Sequence, residues 1–206
     1  MPIITVSREL GSLGTRIAEG VAQRIGAACV DKEVLAEMAR QADVQVEEIV
    51  EDEERLLSRP VVVSEEMRAL FAHRQGKGRS GLSEENYIER MSAAVEALGQ
   101  GGNIVFVGRG VQMILAGRPG ILHTHIYAPP KIRAARVQAA RNLSDPVSAL
   151  QIVQRADERR RNWFRRFFTG ANWKDPRYYH LMINTGRLGV DTAVDLIVVA
   201  AESPSP

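Results

Sequence analysis

The opening of the chain constrains the fold most, because a β-branched run, Ile3 to Val6, leads into a glycine-bearing turn and then a helical pattern. Ile17, Val21 and Ile25 recur on one face of a predicted helix, and Gly26 stands where that helix is expected to stop. A strand joined so directly to a helix aims several backbone N–H groups and the positive end of the helix dipole at one point. That point is an anion site. The turn reads Ser7-Arg8-Glu9-Leu10-Gly11-Ser12-Leu13-Gly14-Thr15-Arg16, with Thr15 placed so that its hydroxyl can reach a phosphate oxygen or a metal ion. A glycine turn before a helix also closes an ordinary tight βα corner, so spacing alone leaves both readings open.

Four further short apolar runs follow at Ala27 to Val30, Asn103 to Val107, His123 to Tyr127 and Leu181 to Asn184, most of them separated by stretches of helical period. That alternation predicts a parallel sheet with helical crossovers. The 206 residues suffice for one substantial core plus a helical insert. The polar section from Asp31 to Gly102 holds an acidic, helix-like stretch over 43–57 and the glycine-rich Gln75 to Leu82, expected to be a hinge or flap. A long helix is predicted from about Val147 to Phe168, with Leu150, Val153, Phe164, Phe167 and Phe168 on its apolar stripe. Asp157 shares another face with Arg160 or Arg161. Residues 202–206 read as a frayed tail.

Net charge is only +2, yet it is unevenly placed. Residues 31–66 carry 4 basic against 12 acidic side chains, and residues 131–187 carry 13 basic against 4 acidic. A basic region of that size attracts anions, phosphates of a small molecule or of nucleic acid alike. The single cysteine, Cys29, permits no internal disulfide and reads as a small buried hydrophobe. His123 and His125 fall on one face of a strand; two ligands at this spacing do not make a metal site, and they read as structural or surface histidines. No apolar run approaches the roughly 20 residues that span a bilayer, and residues 1–7 lack the features of a secretion signal, so a cytoplasmic protein is expected.

The run I-T-V-S-R-E-L-G-S-L-G-T-R-I-A resembles the opening of the cytidylate kinase-like family, relatives of bacterial cytidylate kinase. Later stretches agree in order: V-D-K-E, I-V-F-V-G-R-G, H-I-Y-A-P-P-K-I-R-A-A-R, the arginine-rich helix, and F-T-G-A-N-W-K-D-P-R-Y-Y-H-L-M-I-N-T. The resemblance implies a P-loop nucleotide-kinase fold over residues 1–206: a five-stranded parallel sheet flanked by helices. It also implies a helical monophosphate-binding insert over 31–102 and an arginine-rich lid with its long helix over 131–170. The implied activity is ATP-dependent phosphoryl transfer to a nucleoside monophosphate, CMP or dCMP, with Mg2+ accompanying ATP.

On that reading Arg8, Gly11, Ser12, Leu13, Gly14, Thr15 and Arg16 hold the nucleotide phosphates, with Thr15 also a metal ligand. Asp31, Lys32 and Arg109 serve the acceptor, and Arg109 suits bidentate phosphate binding. Arg133, Arg136, Arg159, Arg160 and Arg161, with Asp157, are expected to close around the transferring group, where positive charge on the equatorial oxygens is needed.

The sequence also departs from the usual pattern G-x-x-x-x-G-K-S/T. Superposing the final hydroxyl residue on Thr15 puts Arg8 at the first glycine, Leu13 at the second and Gly14 at the phosphate-binding lysine. Arg8 or Arg16 can supply the missing charge. Where cytidylate kinases have D-G-R-D, this chain has V-G-R-G at Val107 to Gly110, leaving magnesium to Thr15, water, the phosphates and Asp31 or Asp157. A nucleotide-binding module without turnover is the alternative. A third reading, Arg159 to Phe168 as a nucleic-acid surface, meets an objection: its aromatics fall on the apolar stripe of their helix.

Overall fold

The computed structural model describes residues 2–31 and 84–202. Lys32, the acidic stretch over 43–57 and the glycine-rich stretch over 75–82 lie outside the described residues. Five strands form one sheet: β1 (Ile3–Arg8), β2 (Ala28–Val30), β3 (Ile104–Val107), β4 (Ile121–Tyr127) and β5 (Leu181–Asn184). They pair in the order β2-β3-β1-β4-β5, every pair parallel. Each predicted run became a strand, with two extensions. β1 continues to Arg8 because Ser7 and Arg8 stay in register with His125 and Ile126, and β4 begins at Ile121, opposite Ile3.

Among the described residues the main helices are α1 (Gly14–Ile25), α2 (Glu84–Gly99), the short α3 (Val111–Ile114), α4 (Pro130–Ala140), α5 (Pro146–Phe167) and α6 (Val190–Glu202). Gly26 caps α1 in the left-handed conformation, as its sequence position suggested. Asp145 caps α5 by accepting from the N–H groups of Val147 and Ser148. Glu202 is the last residue of α6, and 203–206 lie outside the described residues.

Period-two alternation sorts the sheet into two packed faces. Ile4 and Val6 join Val105, Val107 and Ile126 against Ile17 and Val21 of α1 and Ile197 of α6. Ile104 and Phe106 pack with Val95 and Leu98 of α2 and Val111 of α3. Because β1 is central, its second face is also buried, although it carries Thr5 and Ser7. Both hydroxyls are matched: Thr5 Oγ1 lies 2.8 Å from His123 Nδ1, and Ser7 Oγ lies 3.2 Å from the Tyr179 hydroxyl. Among the described residues no helix is long and apolar enough to cross a membrane.

Candidate functional site

β1 is the central strand, and its C-terminal end delivers Arg8 and the loop Glu9 to Leu13 to the start of α1. The loop's carbonyl groups are bound in succession. Arg133 Nη1 donates to Leu10 O at 3.3 Å, Arg136 Nη1 to Gly11 O at 3.2 Å, and Thr185 Oγ1 to Ser12 O at 2.8 Å. In a trans peptide the next residue's N–H points opposite to the carbonyl. The N–H groups of Gly11 and Leu13 are therefore turned away from those donors, while Ser12 N–H closes a turn onto Glu9 O at 3.1 Å. The first N–H groups of α1, which have no intrahelical acceptor, follow directly. Ser12 is fully buried, and its Oγ has no hydrogen-bond partner in the structure.

Two loop residues take the left-handed backbone conformation, Gly11 at φ 77° and Leu13 at φ 65°. Glycine is required at position 11, since a Cβ there would stand 2.7 Å from Arg133 O. At Leu13, the N-cap of α1, an L side chain carries that conformation at a cost of roughly 1–2 kcal/mol. The sequence flagged Leu13 as a side chain in a glycine position, and the backbone still adopts the glycine-like geometry.

Arg133 is only 1% exposed and sits in a closed set of charges. Its guanidinium meets Asp157 through Nη1 at 3.1 Å and Nη2 at 2.8 Å, while Nε lies 3.0 Å from Glu9 Oε2 and donates to Ala128 O at 2.9 Å. Lys174 Nζ completes the set at 2.5 Å from Glu9 Oε1 and 3.1 Å from Asp157 Oδ2. Burial alone pushes the Asp157 carboxyl up, but Arg133 and Lys174 together hold it below the usual carboxylate range. Arg136 is likewise engaged, its Nη2 donating to Thr185 O at 2.7 Å. The geometry thus gives Arg133 and Arg136 contacts with the loop and its supports.

Arg8 holds the other half of the loop. Its side chain runs beside Gly14, where an added Cβ would stand 2.4 Å from Arg8 Cβ, and its Nε donates to Thr15 Oγ1 at 3.2 Å. Its Nη1 lies 2.3 Å from where a Cβ on Gly108 would be, beside the turn that follows β3. Arg16 is exposed and lines a groove of about 620 Å³ between α1 and α6 with Gln23, Arg24 and Asp191. Of the two arginines proposed to replace the loop lysine, only Arg8 is brought to the Thr15 hydroxyl. That hydroxyl now accepts from a cation, and Asp157 is claimed by Arg133 and Lys174. Among the described residues no cluster of three or more His, Cys, Asp or Glu side chains is arranged for a metal. The other carboxylate named for a metal, Asp31, stands half-buried just beyond β2.

Arg109 lies between Gly108 and Gly110, all three left-handed, at the end of β3 and half-buried. On α5, Arg159 and Arg160 are half-buried and Arg161 is exposed, with the Arg160 guanidinium 4.9 Å above the Trp173 ring. Phe164, Phe168, Trp163 and Trp173 pack together, so these rings are not arrayed as a base-stacking surface. His123 and His125 are buried, and burial holds them neutral by lowering them to about 4 and about 3. Burial also raises the Cys29 thiol to about 12.

Glu9, Lys174 and Thr185 are the loop-holding residues that sequence reasoning did not single out. Lys174 lay inside the motif F-T-G-A-N-W-K-D-P, and Thr185 ended another quoted run, but nothing local showed that either reached the loop.

Solved structures agree with this architecture. An uncharacterized protein from Eubacterium ventriosum superposes with a TM-score of 0.70 at 22% identity, covering 98% of this chain and 99% of that one. A shikimate kinase from Bacteroides thetaiotaomicron gives a TM-score of 0.50 at 12% identity, covering 98% and 99%. At such identities the likeness establishes the fold, that of P-loop kinases. No curated protein gives a significant match. A family model, however, aligns with residues 3–187, from the first strand through the loop and arginine helices to the turn after β5, and by that match the chain belongs to the cytidylate kinase-like family.

Proposed function

We propose that the chain binds the phosphate chain of ATP on residues 11–15 and transfers the γ-phosphoryl group to a nucleoside monophosphate, CMP or dCMP in the first instance. One observation carries this reading: the carbonyls of Leu10, Gly11 and Ser12 are bound to Arg133, Arg136 and Thr185, so the loop is fixed with N–H groups available for an anion. Preorganised donors of this kind are effective because they need no rearrangement when charge develops.

Arg109 is assigned to the acceptor phosphate, presented on the strained turn after β3. Asp31, half-buried just beyond β2, is assigned to the acceptor side with it. Arg159, Arg160 and Arg161 are assigned to the outer phosphates, with Arg160 best fixed through Trp173. Arg133, Arg136 and Asp157 act as positioning residues through the loop. In-line placement is the main requirement of phosphoryl transfer, and these groups set the donor side of it. A second reading, nucleotide binding without turnover, is favoured by Gly14 at the lysine position and by Val107 and Gly110 where cytidylate kinases have aspartates.

ADP release is the deciding measurement, made with ATP and each of CMP, dCMP, AMP, GMP and UMP, in the presence and absence of magnesium. Release above the ATP-only control with CMP or dCMP supports the kinase. Release with a different monophosphate moves the acceptor. ATP binding with no release under any condition establishes the second reading.

A further inference from the structure

The charges packed beside the loop balance one another. Glu9 and Asp157 bring two carboxylates, Arg133 and Lys174 bring two cations, and each carboxylate meets both cations. Arg133 and Lys174 keep the Asp157 carboxyl low in spite of its burial. The side chains of Arg133, Glu9 and Asp157 are 1%, 5% and 14% exposed, whereas that of Lys174 is 39% exposed. Lys174 is the member of the set that borders solvent.

Its position is nevertheless fixed. Lys174 N–H donates to Asn172 Oδ1 at 3.2 Å, and Asp175 N–H donates to Asn172 O at 2.8 Å, a turn that presents the side chain. The ammonium lies 4.8 Å above the buried Trp173 ring and joins Glu9 of the loop to Asp157 of α5.

Glu9 stands two residues before Gly11, and its carbonyl accepts from Ser12 N–H, so this carboxylate belongs to the same loop as residues 11–15. Its Oε2 is held in place by Ala128 N–H at 3.2 Å and by Arg133 Nε at 3.0 Å. Without Lys174 the single charge of Arg133 would face two carboxylates. The net charge of −1 left beside an anion site, away from water, repels phosphate.

We propose that Lys174 is a positioning residue for the nucleotide phosphates that acts through Glu9, cancelling the carboxylate of the loop so that its N–H groups can receive an anion. This rests on the reading of residues 11–15 as the phosphate site. Calorimetric titration of the full chain with ATP and magnesium tests it, with folding checked by circular dichroism.

Lys174→Met is expected to lower ATP affinity by about fivefold or more, as an uncancelled charge near the phosphates requires. Adding Glu9→Gln to that variant leaves Arg133 paired with Asp157 and returns the set to neutrality. The double variant should therefore recover to within about threefold of the parent chain, which the loss of a merely structural contact would not do. An undiminished affinity in Lys174→Met, or a double variant that binds no better than the single one, overturns the inference and leaves the phosphate site standing. If Lys174→Met does not fold, Glu9→Gln alone provides the test. It makes the set net positive, so ATP should bind about twofold or more tighter, and an unchanged or weaker affinity overturns the inference. Absence of ATP binding by the parent chain overturns the inference and the phosphate site together.

Discussion

The two halves of the loop are built on different principles. Residues 9–12 are anchored by Arg133, Arg136 and Thr185, and the Arg133 charge is matched by Glu9 and Asp157 in a buried set that also includes Lys174. Residues 13–15 combine a left-handed Leu13, the open end of α1, and a hydroxyl tied to Arg8. The first half is a scaffold whose carbonyl groups are bound within the protein. In the second half, strain and backbone N–H groups are placed where a ligand can use them. An arginine in a sequence therefore does not announce its task. Arg133 and Arg8 are both buried beside one loop, yet Arg133 fixes carbonyls and carboxylates while Arg8 reaches a hydroxyl and the next strand's turn.

Breaking the first half is expected to have the largest effect. Arg133→Ala leaves Glu9 and Asp157 facing Lys174 alone, and breaking a buried pair in this way costs about 3–5 kcal/mol. Urea unfolding measures the loss. The double variant Arg133→Met with Asp157→Leu should lose less than the sum of its single changes, because both members of the pair leave together. Additive losses would show that the two groups do not act as a pair and would erase the distinction between the halves.

Acid provides a smaller, graded test of the polar face beneath the loop. His123 and His125 are lowered to about 4 and about 3 chiefly by burial, against 6.5 when free. The unfolded chain then binds more protons than the folded one below pH 6.5. Stability therefore falls as pH drops from 6.5 toward 4, by up to about 1.4 kcal/mol per pH unit for each ring. Asp157, held low, loses its contribution at still lower pH, as the medium falls through its folded value. Thermal unfolding of His125→Leu should vary less steeply over this window than the parent protein. Parallel curves would remove His125 from the account.

The smallest effect is predicted at Arg16. Its side chain is exposed in the groove between α1 and α6, so Arg16→Ala should change stability by no more than about 0.5 kcal/mol. In a calorimetric titration of the chain with ATP, Arg16→Ala should also weaken binding less than Arg8→Ala does. A reversed order would transfer the lysine's role to Arg16.

All five strands were legible in the sequence because buried parallel strands are short β-branched or apolar runs, and the turn residues around them leave few alternatives. Gly26 and the long arginine-rich helix were legible for the same local reason, and a chain-long set of motifs pointed to the family. Contacts between segments distant in sequence were not. Helical spacing placed Arg133 and Arg136 on one side of α4, but spacing cannot say whether that side meets solvent, a ligand or the protein itself. The partners of Arg133 come from residues 9, 10, 128 and 157, and these meet only once the strand order sets β1 beside β4 and α4 packs on α5. Arg8 was legible as a charge in a glycine position. Its direction was decided by tertiary structure: the stem runs beside Gly14, and the guanidinium lies over Gly108, which the pairing of β1 with β3 brings next to it.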